Sequence, residues 1–236
     1  MLKGGRTRIL TEKKYSLRTT VPPSIPNTGT SSKLGEFMEL QENIKHFFPT
    51  DKMRKVGVDD DGSCFYHTLC AALNINDWHG KSKEKRIHLG HQLRAKILNA
   101  LTKKTWLNYW HGKGVRTKGT KVPSIEHMRK VLKNNTAWAD VYAIMFTMHI
   151  LNLNLIVFDM KQGVIYCGTH DSKKTVDTIF ICWISHSHFE PIVYVGEEGI
   201  KGKFGVNDSI LKHVIQKYNE QGCPRYSLHD ILKRKR

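Results

Sequence analysis

The residues best suited to chemistry lie in a short acidic turn that leads into an apolar segment. Asp61, Gly62 and Ser63 come directly before Cys64, which begins a helix-like run. Asp or Ser just before a helix can accept hydrogen bonds from the free N–H groups of its first turn. The positive end of the helix dipole favours a thiolate there, and Gly62 allows a sharp turn next to a substrate. The turn could therefore present a sulfur nucleophile; the alternative is a capped helix with an ordinary buried cysteine.

A thiol nucleophile needs a histidine within hydrogen-bond reach and a polar group that orients this histidine. The C-terminal half offers His186 and His188 in a turn between two apolar segments. His188 starts the segment that runs to Tyr194, so its side chain is expected to be held rigidly, as a catalytic base requires. A zinc site on the two histidines is not expected, because no Cys or His at ligand spacing accompanies them.

The elements that must position these residues change in type along the chain. Apolar residues at helical spacing predict a leading helix over 34–48 and further helices that begin near Cys64, Ile87, Ile125 and Trp138. Near-continuous β-branched and aromatic runs then predict four strands, at 154–158, 163–167, 178–184 and 189–195. A last helix is predicted over 208–218. Helices followed by neighbouring strands predict an α+β fold in which helices cover a small, mostly antiparallel sheet.

Composition indicates one medium-sized domain with polar ends. The chain has 236 residues, of which 39% are hydrophobic and 25% charged, as in ordinary globular proteins. Residues 1–33 show no apolar periodicity and are expected to form a flexible basic arm. The predicted domain occupies 34–196, and 197–236 are expected to form a helical extension with a basic tail.

Cysteine usage and hydropathy bear on the compartment. No apolar run approaches the ~20 residues of a membrane span, and the N-terminus lacks the apolar centre of a secretory signal, so no membrane association is expected. The five cysteines are scattered and contain no C-x-x-C pair, which argues against a redox dithiol or a disulfide framework. We expect an intracellular protein of the cytoplasm or the nucleus, where the basic cluster 232–236 could serve nuclear import.

The charge balance points to a different class of partner. The formal net charge is +17 and the sequence pI is about 9.7. Such a field attracts nucleic acids and acidic surfaces over a long range. Weak nonspecific nucleic-acid binding is therefore expected, and a basic nucleic-acid-binding protein is an alternative to the thiol chemistry.

Three segments resemble the sequence boxes of the ovarian tumour (OTU) domain cysteine proteases, and they occur in the family's order. Residues 61–66, DGSCFY, resemble the family's Asp-Gly-x-Cys box, and residues 188–190, HFE, resemble its His-aromatic-polar box. Residues 138–140, WAD, are similar to the Trp-Gly segment that precedes a core strand, with Ala139 in place of the usual glycine. Together they cover about residues 50 to 196.

The resemblance implies an OTU-like cysteine protease fold and a deubiquitinase, which hydrolyses isopeptide or peptide bonds after the C-terminal Gly of ubiquitin in ubiquitin or polyubiquitin conjugates. It implies that Cys64 is the nucleophile and His188 the general base. Either Asp61 or Glu190 would orient His188; Glu190 stands where the family has Asp or Asn. No cofactor or metal is implied.

The same resemblance implies an oxyanion hole made by backbone N–H groups, those of Asp61, Gly62, Ser63 and Cys64. A further alternative is an inactive OTU-like module that only binds ubiquitin.

Overall fold

The structure is a computed structural model that describes residues 34–112, 123–161, 163–169, 176–185 and 187–220. The strands are β1 Phe37–Glu39, β2 Met53–Val56, β3 Asn154–Asp159, β4 Val164–Thr169, β5 Thr178–Ile184, β6 His188–Gly196 and β7 Gly199–Lys201. The α-helices are α1 Glu42–Lys45, α2 Cys64–Ala72, α3 Lys83–Ala100, α4 Lys103–Gly112, α5 Ile125–Lys133, α6 Val141–Leu151 and α7 Ser209–Glu220. The predicted arm 1–33 and the basic tail from 221 onward lie outside the described residues.

The strands form one mixed sheet in the order β1-β2-β6-β5-β3-β4, with β7 paired to β6. Every described ladder is antiparallel except that between β3 and β5, which is parallel. The predicted α+β fold with a mostly antiparallel sheet is therefore confirmed. The four predicted strands correspond to β3, β4, β5 and β6.

Alternation along the strands divides the core into two clusters on opposite faces of the sheet, because successive side chains of a strand point to opposite faces. Ile179 and Ile181 belong to the cluster that packs against α2, α3, α5 and α6. Phe180 and Cys182 belong to the cluster that packs against α1 and α7. The central helix α2 is covered on all sides, and its nine residues are all buried.

The predicted leading helix over 34–48 is wrong. Residues 37–39 form an edge strand, with Phe37 opposite Val56, and only the single turn α1 is helical. Gly35 has φ +80°, in the left-handed region, so a right-handed helix cannot start there. Its N–H donates to the carbonyl of Gly57 at 2.7 Å, which ties the segment to the sheet. The buried apolar residues of this stretch are Leu40, Ile44, Phe47 and Phe48, which belong to the cluster on the face of α1 and α7, whereas Phe37 of the edge strand is 39% exposed.

Two further segments differ from the sequence expectation. Strand β2 was not predicted, because two of its four residues are charged and the run is short. The segment after 196 contains the predicted helix, as α7, but it also supplies β7 to the sheet. Phe204 of this segment is fully buried and bridges to Thr178 of β5. The described part of the predicted extension thus packs on the same fold.

Among the described helices, none combines the length and the apolar character that crossing a membrane requires.

Candidate active site

Cys64 is the first residue of α2 and is 2% exposed. The helix starts here because the carbonyl of Ser63 accepts hydrogen bonds from the N–H groups of Tyr66 and His67. The Ser63 side chain makes no cap bond to the helix; its hydroxyl donates to the carbonyl of Asn135 at 3.2 Å. The predicted helix start is present, but Ser63 fixes the turn from outside the helix.

Asp61 is bound to histidines of two helices. Its Oδ1 accepts from the Ser63 N–H at 2.7 Å and contacts Nε2 of His67 at 3.0 Å, while Oδ2 contacts Nε2 of His91 at 2.8 Å. Burial raises the pKa of Asp61, but these histidines and the Ser63 N–H outweigh it and lower the pKa to about 2. Asp61 and His188 form no hydrogen bond or ion pair within the described part of the chain. Asp61 therefore anchors the nucleophile turn to α2 and α3.

Arg94 of α3 is a fully buried cation that binds the same turn. Its Nη1 donates to the Gly62 carbonyl and to the Ser63 hydroxyl oxygen, both at 2.9 Å. Its other donors reach carbonyls of the α5–α6 region, those of Val131, Leu132 and Ala137. Because a guanidinium presents its donors in a rigid plane, Arg94 fixes the position of the turn relative to the segment that contains Trp138.

Gly62 lies so close to this segment that only glycine fits. A Cβ at Gly62 would lie 2.2 Å from the carbonyl carbon of Thr136 and 2.5 Å from the carbonyl oxygen of Asn135. Both neighbours are backbone atoms, which cannot move aside as a flexible side chain can. The glycine of the predicted box is thus required by a close approach of two backbones.

His188 is the first residue of β6 and is buried. Burial lowers the pKa of His188, but its interactions with Cys64 and Glu190 outweigh this and raise the pKa to about 9. Nε2 lies 3.7 Å from Oε1 of Glu190, longer than a normal hydrogen bond, and neither ring nitrogen has a hydrogen-bond partner among the described residues. Catalytic contacts are often long before substrate binds. The structure thus brings Cys64, His188 and Glu190 together.

Glu190 is fully buried and lies between His188 and Lys55. The Lys55 ammonium of β2 donates to Oε2 at 2.8 Å, while Oε1 faces His188. Burial raises the pKa of Glu190, but its contact with His188 and the charge and hydrogen bond of Lys55 hold it below its usual value. Of the two carboxylates predicted to orient His188, Glu190 is the one in contact with it.

Two of the four backbone N–H groups of the turn donate hydrogen bonds to Asp61. The Ser63 N–H donates to Asp61 Oδ1, and the Cys64 N–H donates to the Asp61 carbonyl at 3.1 Å. The N–H groups of Asp61 and Gly62 have no acceptor within the described residues. Of the four donors predicted for an oxyanion hole, these two are the ones with no acceptor in the described part of the chain.

The side chains of Asp61, His67 and His91 form the metal-binding candidate of the described residues, with ligand atoms all within 4.8 Å of one another. Their contacts already engage both carboxylate oxygens. A metal on Nε2 would leave the proton of His67 on Nδ1, which is buried and has no partner in the described structure. Metal-bound histidines usually donate this second proton to an acceptor. The arrangement therefore fits a hydrogen-bonded anchor better than a metal site.

The other cysteines that the structure describes are buried in the core. Cys70 and Cys182 are buried, and burial raises the pKa of Cys70 to about 12, so its thiol is inert at neutral pH. The side chain of Cys167 and the whole of Cys223 and His186 lie outside what the structure describes. Sequence reasoning missed Lys55 and Arg94. The sequence offered no local signal for either residue, because solvated lysines and arginines have the same pattern.

The described side chains define a Cys-His-carboxylate arrangement at the junction of a central helix and a central strand. No model of a known protein family matches the chain, and no curated protein is significantly similar to it. Solved structures to which it is similar are OTU domains. An ovarian tumor (OTU) domain in complex with ubiquitin has 17% identity and a TM-score of 0.46, over 74% of this chain and 90% of that one.

Two further structures are of the same kind. The OTU domain of OTUD1 has 14% identity and a TM-score of 0.42, over 64% of this chain and 92% of that one. The OTU of Hazara virus, bound to ubiquitin, has 14% identity and a TM-score of 0.38, over 61% and 82%.

Proposed function

We propose that this protein is a cysteine-type deubiquitinase in which Cys64 is the nucleophile, His188 the proton-transfer group and Glu190 the group that orients His188. The observation that carries the proposal is the contact of His188 with both Cys64 and Glu190, which together raise the pKa of His188 to about 9. At pH 7 the imidazole is then protonated, so it can stabilise a Cys64 thiolate and already holds the proton for the leaving group.

The reaction follows from this protonation state. The Cys64 thiolate attacks the carbonyl carbon of the C-terminal Gly of ubiquitin. The negative charge that develops on the carbonyl oxygen is taken up by the N–H groups of Asp61 and Gly62, each worth about 10²–10³ in rate in comparable sites. His188 gives its proton to the amine as the C–N bond breaks, which leaves a thioester on Cys64.

The second half of the reaction regenerates the thiolate. Neutral His188 now accepts a proton from water, whose oxygen attacks the thioester carbon. The C–S bond breaks, ubiquitin leaves with a free C-terminal carboxylic acid that releases its proton to solvent, and the thiolate again faces a protonated imidazole. Because Nε2 of His188 faces Glu190, the proton that moves is assigned to Nδ1.

Ubiquitin is proposed as the substrate because three segments match the OTU boxes in type and order: 61–66, 138–140 and 188–190. The structure adds a physical link between them, since Arg94 joins the first segment to the carbonyl of Ala137. The first and third segments meet through Thr68, whose hydroxyl donates to the carbonyl of Phe189 at 2.8 Å.

The test is a ubiquitin probe with an electrophile at its C-terminus. The wild type is expected to form a covalent adduct, Cys64→Ala to form none, and Cys70→Ala to form as much as the wild type, because Cys70 is buried and protonated. In cleavage of diubiquitin, His188→Ala is expected to abolish turnover and His186→Ala to preserve it. An adduct that persists in Cys64→Ala would overturn the assignment of the nucleophile.

A basic nucleic-acid-binding protein remains the second candidate, favoured by the net charge of +17. It predicts binding of DNA or RNA whose affinity falls steeply with salt concentration, and no adduct with the ubiquitin probe. Tight ubiquitin binding without an adduct would instead indicate an inactive OTU-like module.

A further inference from the structure

The ion pair of Lys55 and Glu190 is a buried contact between two strands, next to the reacting groups. The Lys55 and Glu190 side chains are 5% and 0% exposed, and their N···O distance is 2.8 Å. Lys55 lies opposite Ile192 in the β2–β6 ladder, and Glu190 lies two residues before Ile192 on the same face of β6. The ammonium therefore reaches Glu190 diagonally across the ladder.

Burying two charges is costly even when they are paired, and an apolar pair of similar volume often gives a more stable protein. Stability alone therefore does not account for a lysine at this position. Its location suggests a role in the site, because Glu190 uses its other carboxylate oxygen to face His188.

We propose that Lys55 is a positioning residue of the active site: its ammonium fixes the Glu190 carboxylate and keeps it ionised, and Glu190 in turn orients His188 beside Cys64. The proposal rests on the proposed function and adds to it a fourth residue, contributed by β2.

The charged and titratable neighbours of Glu190 determine the expected direction. His188 lies on its own strand, Lys55 reaches it from β2, and Cys182 lies opposite it on β5. Burial raises the pKa of Cys182, and the negative charge of Glu190 raises it further, so this thiol stays neutral. Lys55 supplies positive charge from a neighbouring strand that balances the Glu190 carboxylate. Without Lys55, burial favours the protonated form of Glu190. A protonated Glu190 no longer supports the imidazolium of His188, and this disfavours the thiolate-imidazolium pair.

The first readout needs no ubiquitin. The rate at which iodoacetamide alkylates Cys64 is measured against pH, with Cys64→Ala as the blank. In Lys55→Met the pH of half-maximal alkylation is expected to move upward by at least half a unit, while Lys55→Arg keeps it near the wild-type value. Lys203→Met is the matched control, because Lys203 pairs with Asp177 at 3.0 Å on the surface and its loss removes the same charge.

The second readout is kcat/KM on a fluorogenic ubiquitin substrate. Lys55→Met is expected to lose about tenfold, within the range of couplings measured between members of one ion-pair network, with the loss mainly in kcat. Because Lys55 acts through Glu190, the same substitution in a Glu190→Gln background is expected to cause no further loss. This double variant also removes both buried charges, so it remains measurable if Lys55→Met alone does not fold.

The outcomes separate the two proposals. An upward shift in Lys55→Met that disappears in the Glu190→Gln background supports the positioning role. Equal effects of Lys55→Met in both backgrounds, or a loss of activity that is uniform across pH, overturn it. If the wild type cleaves no ubiquitin substrate but Lys55→Met still shifts the pH of half-maximal alkylation, the proposed substrate is refuted and the role of Lys55 is supported.

Discussion

Asp61 and Glu190 are the two carboxylates that sequence reasoning assigned to the same task, and their contacts separate them. Asp61 binds His67 and His91 and secures the turn before Cys64. Glu190 faces His188 and is balanced by Lys55. One carboxylate therefore holds the nucleophile in place and the other acts on the imidazole.

Substitution of each carboxylate by its amide is expected to distinguish these roles. Glu190→Gln removes the charge beside the imidazolium and is expected to lower kcat about tenfold or more. It is also expected to move the alkaline limb of the pH profile of kcat to lower pH, because the pKa of His188 falls from about 9. Asp61→Asn is expected to leave the alkaline side of the profile in place. Pre-steady-state and steady-state kinetics between pH 5 and 10 provide the measurement. A narrowed profile in Asp61→Asn alone would reverse the assignment.

The Asp61 carboxylate is expected to make a stability contribution that depends on pH. Its pKa is about 2 in the folded protein, against an ordinary value of 3.8, so its stabilisation is present above about pH 4 and is lost as the pH falls towards 2. Denaturant unfolding of Asp61→Asn is expected to show a deficit of about 1 kcal/mol at pH 7, reduced from full linkage because the carboxylate is partly solvated. The deficit should be the same at pH 5 and smaller at pH 3; a deficit that grows towards pH 3 would contradict this.

At the residue scale, the sequence predicted the pairing of Cys64 with His188 because both stand in recognisable boxes at the starts of their elements. It left the choice between Asp61 and Glu190 open, since that choice depends on which side chains of α2, α3 and β2 surround each carboxylate. Arg94 and Lys55 could not be identified as buried, because solvated lysines and arginines have the same local pattern and only tertiary packing distinguishes them.

At the element scale, the turn before α2 is clamped between two helices and the α5–α6 segment. Arg94 joins the Gly62 carbonyl to the carbonyls of Val131 and Ala137, and Gly62 leaves no space for a Cβ beside Thr136. The N–H groups of Asp61 and Gly62, which are proposed to stabilise the oxyanion, therefore belong to a turn that is held rigidly, as preorganised donors must be.

Gly62→Ala is expected to move this turn by on the order of 1 Å, a displacement that can cost about 100-fold in rate. Since the Cβ would meet backbone at 2.2 Å, we expect a strong loss of kcat with cysteine alkylation retained. Gly205→Ala is the control, because its Cβ would have an ordinary contact of 3.6 Å with Asp177. Turnover of Gly62→Ala near the wild-type level would mean that these donors do not stabilise the oxyanion.

The elements themselves were predictable to different degrees. Strands β3 and β5 were found because their near-continuous β-branched and aromatic runs admit few alternatives. The leading helix failed because the same apolar spacing arises from an edge strand followed by a single helical turn, and the buried residues Leu40, Ile44, Phe47 and Phe48 all follow the strand. Strand β2 gave no signal, since Lys55 interrupts its apolar pattern and its partner β6 lies far away in sequence.

At the scale of the whole molecule, the site draws on both faces of the sheet. Cys64 and Phe65 belong to the cluster that packs against α2, whereas Glu190 lies opposite Cys182, which belongs to the cluster on the face of α1 and α7. Phe158 is fully buried in that second cluster, among Phe47, Phe48 and Phe180. Phe65 is fully buried in the first cluster, where the centroid of its ring lies 5.8 Å from that of Phe189.

Phe158→Leu and Phe65→Leu form a matched pair, one in each cluster, that tests how strongly the site depends on each cluster. Both are expected to lower the free energy of unfolding by about 1–3 kcal/mol, measured by denaturant titration. Only Phe65→Leu is expected to lower kcat/KM as well, because Phe65 follows Cys64 and supports the strand of His188. Equal kinetic losses in both variants would show that the two cores are coupled.

The fold class was predictable because the change from helical to strand periodicity is a local property of the chain. The strand order was not, since pairing of β2 with β6 and of β3 with β5 depends on contacts across long sequence separations. The predicted domain end at 196 reflects the same limit: nothing in residues 197–220 indicates that β7 and Phe204 join the sheet.

The pairing of β2 with β6 has a consequence for the newly made protein. Lys55 and Glu190 are 135 positions apart, and ribosomes add about 5–20 residues per second. Lys55 is therefore synthesised on the order of ten seconds before Glu190, and Cys64 precedes His188 by a similar interval. During that interval the emerging polypeptide carries an ordinary thiol with no proton-transfer partner. The cluster of Cys64, His188 and Glu190 therefore cannot assemble until β6 has been synthesised.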